Sequence, residues 1–155
     1  APVQAVAAST QSSLATLPAM LESSERRLGF PQSVSGLVLP MAVSLFRITS
    51  PIQYIASASF IAWAMGIDLS MAQLATGVAL SVLVSMGSVG LPGQAIFIAT
   101  NLPVTQAMGL PIAPLPVLMA VDAIPDVLAT VGNVTADMTA NALVASRSGD
   151  ASTAS

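Results

Sequence analysis

The chain has 155 residues, of which only 7% are charged and 54% are hydrophobic, with a mean hydropathy of +0.82. Soluble domains carry roughly a quarter of their residues as Asp, Glu, Lys and Arg, so a fold of this size could not offer water a polar surface. Residues 69–121 carry no charge at all; at ~1.5 Å rise per residue they far exceed the ~30 Å hydrocarbon core of a bilayer, which makes this a membrane protein. There is no Cys, His or Lys, which excludes disulfides, thiolate zinc sites, Ser-His-Asp triads and haem ligation. The four arginines (Arg26, Arg27, Arg47, Arg147) form no basic patch, so no nucleic-acid partner is expected. Ala1-Pro2 opens no basic n-region followed by a short apolar core, so no signal peptide is expected, and the chain reads as a piece of a longer one.

In chain order, residues 1–32 hold two moderately apolar arms around a hydroxyl-rich break, Ser9-Thr10-Gln11-Ser12-Ser13, and end at an aqueous side with Glu22, Glu25, Arg26 and Arg27. Residues 33–67 read as a membrane helix interrupted at Arg47-Ile48-Thr49-Ser50-Pro51. Proline removes a backbone donor, and the hydroxyls of Thr49 and Ser50 can satisfy groups freed there, which predicts one broken helix with Asp68 at its far interface. Residues 68–110 are apolar around a glycine-rich centre, Gly87-Ser88-Val89-Gly90-Leu91-Pro92-Gly93. Two arms of under twenty residues predict a re-entrant hairpin whose break lies against protein or water; two full spans joined by a loop stay open. Three prolines mark an interfacial connector before a last helix within 111–146, and 147–155 reads as a polar, mobile tail. Arg26, Arg27 and Arg147 can all lie on the cytoplasmic side, as the positive-inside rule prefers.

The last helix carries the informative pattern. At 100° per residue, Asp122, Asp126, Thr130, Asn133, Asp137 and Asn141 fall within about a 100° arc, with Ile124, Val127, Leu128, Val131 and Met138 on the other side. Each central Asp costs ~2.5–3.5 kcal/mol to insert, so the stripe must face a water-filled site, a bound ion or polar partners. The alternative is that it only joins helices. Pro125 frees the carbonyl of Val121 and predicts a kink beside Asp122 and Asp126. Asn133-Val134-Thr135 matches a glycosylation sequon, but at membrane depth that match is chance. Two hairpin-like breaks, a broken helix and one polar-striped helix form the pattern of a secondary transporter, in which half-helix ends meet near the midplane.

Ser9-Thr10-Gln11-Ser12-Ser13…Thr16-Leu17-Pro18, Leu39-Pro40, Gly87…Gly90-Leu91-Pro92-Gly93 and Asp122-Ala123-Ile124…Asp126…Asn133-Val134-Thr135-Ala136-Asp137 occur in the order and near the spacing of one family. Over about residues 5–147 the chain resembles the dicarboxylate/amino acid:cation symporters, the glutamate transporter homologues. The resemblance implies an all-α membrane fold of re-entrant helical hairpins and broken transmembrane helices, of which this chain is the C-terminal part of the mobile transport domain. Residues 1–32 would be most of the first hairpin and 68–110 the second, gating hairpin. The scaffold helices of a homotrimer would lie elsewhere in the full-length, multi-pass protein of the inner (plasma) membrane. Ser12 and Ser13 would hold a substrate α-carboxylate, Asp126 its amino group, and Ser50, Leu91, Thr130 and Asn133 would line the pocket. Asn133 and Asp137 match sodium ligands, and Ser44, Ser85, Met86 and Ser88 match a second sodium site, largely through backbone carbonyls. No cofactor is expected beyond a coupling ion, sodium or a proton.

Departures from the family pattern cluster in the broken helix. Phe46-Arg47-Ile48-Thr49-Ser50 stands where the family has Asn-Met-Asp-Gly-Thr, so Phe46 and Ile48 replace an amide and a carboxylate that ligate sodium. Ala129 stands where acidic-substrate members have an Arg, and Gln11 where many prokaryotic members have one. Residues 28–46 and 48–67 are uncharged on either side of Arg47, which puts it at mid-depth. Its guanidinium is expected to pair with Asp137 or Asp126 in place of a sodium, or to bind a substrate carboxylate bidentately; a side chain snorkelling to an interface is the plain alternative.

The leading function is symport of a small amino acid or carboxylate, driven by sodium or protons, since a carboxyl withdrawn from water can carry a proton. Loss of the Arg at Ala129 argues against acidic amino acids, and Asp126 favours a substrate with an amino group. The runner-up is a membrane ligand sensor or non-transporting subunit with a degenerate ion site. An enzyme is not expected, because no His or Lys can activate the many serines.

Overall fold

The computed structural model describes residues 2–88 and 93–153. Among them run eight helices: α1 Pro2–Thr10, α2 Ser13–Arg26, α3 Gln32–Leu45, α4 Ser50–Ala64, α5 Met71–Gly87, α6 Gly93–Ala107, α7 Leu115–Val121 and α8 Ala123–Thr153. No strand occurs in the described residues.

Local chemistry explains each boundary. Gln11 adopts φ +50, turning the chain after α1. The extended Ser12 then caps α2, its hydroxyl accepting from the Ala15 N–H at 3.1 Å. α1 and α2 pack on one another as a hairpin. A capping box of Ser70 and Gln73 starts α5, and Gln73 Nε2 also donates to the Met108 carbonyl at 2.8 Å, tying the start of α5 to the end of α6. A Cβ at Gly77 would run into Met108 Sδ, so glycine lets the start of α5 and the end of α6 close up. At ~1.5 Å per residue α5 and α6 are about 26 and 23 Å long, short of a ~30 Å hydrocarbon core.

Both long apolar helices are broken just before a proline. Pro51 stands in the first turn of α4, and Pro125 in the first turn of α8, positions where a missing N–H costs no intrahelical bond. The consequences differ. Gln32–Ala64 passes as a single 33-residue apolar span, whereas α7 and α8 are bent by 68° at Asp122. The kink expected at Pro125 is therefore a change of helix. At the other end, residues 147–153, read from sequence as the start of a mobile tail, continue α8. The Ser146 hydroxyl donates to the Leu143 carbonyl and that of Ser148 to the Val144 carbonyl, so these serines bond back onto the helix.

Two apolar clusters hold the bundle. Val3, Ala7, Met20, Leu39, Val43 and Val134 join α1, α2, α3 and α8. Tyr54, Ala58, Ile61, Phe97, Val104, Met108 and Leu115 join α4, α6 and α7, with Leu74, Leu80 and Val84 of α5 packed against them. Around them the polarity is inverted relative to a soluble protein: Ile52, Trp63, Ile124 and Leu128 are 69–76% exposed, while Asp122, Asp126, Asn133, Asp137 and Asn141 are buried. Large apolar groups outside and carboxylates inside suit a bundle set in lipid or against further helices.

Candidate functional site

The polar stripe of α8 points inward. Asp126 is 3% exposed and Asp137 1%, while Ile124 and Leu128 on the opposite side are 76% and 69% exposed. Thr130, Asn133 and Asn141 are buried with the acids, and Val127, Val131 and Met138 are half-buried. Burial follows the 100° period because the hydrophilic arc faces α1–α3 and the loop between α3 and α4.

That loop is fastened to α8 by Thr49. Its N–H and hydroxyl both donate to Asn133 Oδ1, at 3.0 and 2.9 Å, and the hydroxyl also lies 3.0 Å from the Ala129 carbonyl. A Cβ at Gly132 would come within 2.9 Å of Thr49 Cγ2, so glycine there allows the approach. The Thr49 hydroxyl thus bonds across to α8, whereas sequence suggested that it would repair its own broken helix. The Ser50 hydroxyl is buried with no hydrogen-bond partner.

Arg47, on the same loop, donates from Nη1 to Ser88 Oγ at 2.8 Å, and Ser88 in turn donates to the Ser85 carbonyl. Arg47 therefore links the broken helix to the end of α5. It also lines a narrow cleft, with room for about 10 Å³, together with Gln53, Tyr54, Ile96, Phe97, Thr100, Asp122 and Asp126. Gln53 Nε2 donates to Asp122 Oδ1 at 2.7 Å. Of the two acids expected as partners of Arg47, Asp126 shares its cavity and Asp137 does not; both Asp137 oxygens lack a hydrogen-bond partner. The first hairpin reaches the same neighbourhood, since Gln11 Nε2 donates to the Ala123 carbonyl at 3.4 Å and Ser12 and Ser13 are buried beside it in the chain.

Of the expected site residues, Ser12, Ser13, Ser50, Asp126, Thr130 and Asn133 are all buried, on elements that converge on the first half of α8. Leu91 lies outside the described residues. For the second sodium site, Ser85 is buried with its hydroxyl donating to the Val82 carbonyl, whereas Ser44 is exposed and donates to the Pro40 carbonyl. Met86 is 53% exposed. Phe46 and Ile48, each 62% exposed, turn away from the buried acids and line an outer groove with Gly132, Thr135, Ala136 and Leu143. Two groups escaped the sequence reading. Gln53 lies one turn beyond Thr49 on the same helix face, a spacing that offered a signal. Ser24 and Ser35, which accept hydrogen bonds from Asn141, stand in ordinary helical stretches and offered none.

A cation needs oxygens without competing donors. Asp137 supplies two such oxygens, so it fits a sodium ligand. Asn133 fits only through its backbone carbonyl, because Thr49 already occupies its side-chain oxygen. Phe46 and Ile48 do not fit.

Residues 1–147 match the family described as the Sodium:dicarboxylate symporter family. The chain is 33% identical over 133 residues to the Neutral amino acid transporter A of Homo sapiens, covering 86% of this chain and 25% of that protein. It is 33% identical over 128 residues to an Excitatory amino acid transporter of Caenorhabditis elegans, covering 83% and 25%. It is 36% identical over 115 residues to the C4-dicarboxylate transport protein of Bacillus subtilis (strain 168), covering 73% and 26%. The chain thus spans about a quarter of the length of these relatives. With nearly its whole length matched, this inward-facing constellation of acids and amides sits in a chain that belongs to the sodium:dicarboxylate symporter family.

Proposed function

We propose that this chain is part of the transport domain of a secondary active symporter that moves a small neutral amino acid or carboxylate by alternating access. In this reading α1–α2 and α5–α6 are re-entrant hairpins, and the full-length protein is a multi-pass, homotrimeric protein of the inner (plasma) membrane. The observation that carries it is the convergence of the first-hairpin tip and the α3–α4 loop on the buried polar face at Asp122–Asn133, with the end of α5 fastened to that loop through Arg47. The short lengths of α5 and α6 support the re-entrant form.

Ser12 and Ser13 hold the substrate carboxylate, Asp126 receives its amino group, and Thr130 borders the pocket. Arg47 adds a fixed positive charge to a cavity lined by two acids, a guanidinium suited to bidentate pairing with a carboxylate. Without an Arg at Ala129, a second substrate carboxylate has no partner on α8, which favours neutral substrates. At about 10 Å³ the cavity holds roughly one water, far below the usual ~300–1,000 Å³ of ligand sites, so a substrate enters only if the site opens.

The test is uptake of labelled L-alanine, L-serine, L-aspartate and succinate into vesicles holding the full-length protein, under imposed sodium and proton gradients. Gradient-driven uptake of a neutral amino acid or small carboxylate, with L-aspartate excluded, is expected. Strict sodium dependence would remove Arg47 as a stand-in for sodium. The outward-facing Phe46 and Ile48 favour a second reading, a ligand sensor that does not cycle. Saturable binding with no flux in the same vesicles would support that reading and overturn transport.

A further inference from the structure

Asp137 lies deep between α8 and its neighbours, 1% exposed, with no hydrogen bond to either carboxylate oxygen. One turn further along α8, Asn141 is 0% exposed, and its Oδ1 also has no partner. The amide is nevertheless held. Asn141 Nδ2 donates to Ser24 Oγ on α2 at 3.1 Å and to Ser35 Oγ on α3 at 3.0 Å. The Ser24 hydroxyl donates its own proton to Met138 Sδ at 3.7 Å, so towards Asn141 it can only accept. This fixes the NH2 on the serine side and leaves the amide oxygen facing away from both serines.

Residues four apart on a helix have Cβ atoms about 5–6 Å apart. One hard cation, with ligand distances of about 2.3–2.6 Å, spans that gap between a carboxylate and an amide oxygen. A proton on Asp137 donated to Asn141 Oδ1 would satisfy two of the three bare oxygens; a cation satisfies all three. A single carboxylate with a neutral amide suits a monovalent ion, and no group of three acidic side chains able to hold a metal occurs among the described residues.

We propose that Asn141 is an oxygen ligand of a monovalent cation held at Asp137, and that Ser24 and Ser35 are positioning residues that present its amide oxygen to the ion. The inference rests on the symporter reading for its biological use. It adds a ligand outside those implied by the family resemblance and supplies an oxygen donor where Phe46 and Ile48 supply none.

The test is thermal unfolding of the purified full-length protein without substrate, titrating NaCl against choline chloride at constant ionic strength. The wild type is expected to gain stability saturably with sodium and not with choline. Asn141→Ala should raise the half-saturating sodium concentration by about 10–100-fold, while Asn141→Asp, which keeps an oxygen ligand, retains the sodium response. Ser24→Ala/Ser35→Ala, which leaves both ligands in place, should shift the titration in the same direction as Asn141→Ala. It carries the test if Asn141→Ala fails to fold. An unchanged half-saturation point in Asn141→Ala, or in the double serine variant, overturns the proposal, as does equal stabilisation of the wild type by sodium and choline. Gradient-driven uptake together with an unchanged titration would sink this inference and leave the symporter standing. An Asn141-dependent sodium response without any uptake would do the reverse.

Discussion

The two proline-linked breaks begin from the same chemistry and end in different structures. Before Pro51 four residues, Phe46–Thr49, leave the helix, yet α3 and α4 still pass as one apolar span. Before Pro125 only Asp122 separates two helices, and the axis turns by 68°. The open break brings a cation, Arg47, and hydrogen-bond donors to α8; the sharp break brings carboxylates. Each offers what the other lacks, and Thr49, Asn133, Gln53 and Asp122 join them. Proline thus determines where a helix ends, while the neighbouring side chains determine what the exposed end can bind.

Removing the charge from the open break should have the largest effect. Arg47→Ala takes the guanidinium from a cavity lined by Asp122 and Asp126, and loss of one member of a buried charged group costs about 3–5 kcal/mol. The unfolding temperature of the full-length protein should fall strongly, with Arg47→Met little better. If Arg47→Met were as stable as wild type, the two breaks would not be electrostatically coupled.

Thr49→Val should come next. It removes the hydroxyl that lies against Asn133 and Ala129 while keeping the side-chain volume, at about 1–3 kcal/mol. Gly132→Ala should cost a similar or smaller amount by forcing Thr49 Cγ2 away, about 1–3 kcal/mol. Because Ser lacks that methyl, Thr49→Ser should rescue Gly132→Ala in a double-mutant cycle; strict additivity would show that the contact does not hold the breaks together. Gly77→Ala, which alters neither the Arg47 nor the Thr49 contacts, should be the mildest. Its new methyl meets mainly the flexible Met108 side chain, so a loss nearer about 1 kcal/mol is expected in the same unfolding assay.

Much of this arrangement was legible in the residues. Pro51 and Pro125 announced the breaks, the hydroxyl-rich run Ser9-Thr10-Gln11-Ser12-Ser13 announced an interruption between two arms, and the spacing of Asp122, Asp126, Asn133 and Asp137 announced a buried face. Periodicity, however, reports which face is buried and not what meets it. Nothing in Thr49 says that its hydroxyl crosses to Asn133, and nothing in Ser24 or Ser35 says that both serve Asn141. Of the two acids considered for Arg47, the residues could not choose Asp126, which shares its cavity, over Asp137, since depth in the membrane does not specify azimuth. The helical continuation through Ser146 and Ser148 was hidden because serines read as loop formers when their bonds back to the helix cannot be seen.

The most direct test of the central claim, that both breaks build one ligand site on the buried face of α8, is equilibrium binding to the purified full-length protein. Labelled L-alanine and L-serine would be titrated against wild type, Asp126→Asn and Ile124→Ala, the last altering the exposed face of the same helix. Saturable binding of at least one of them to wild type and Ile124→Ala, and its loss in Asp126→Asn, is the predicted result. Equal affinity in all three proteins would contradict the account.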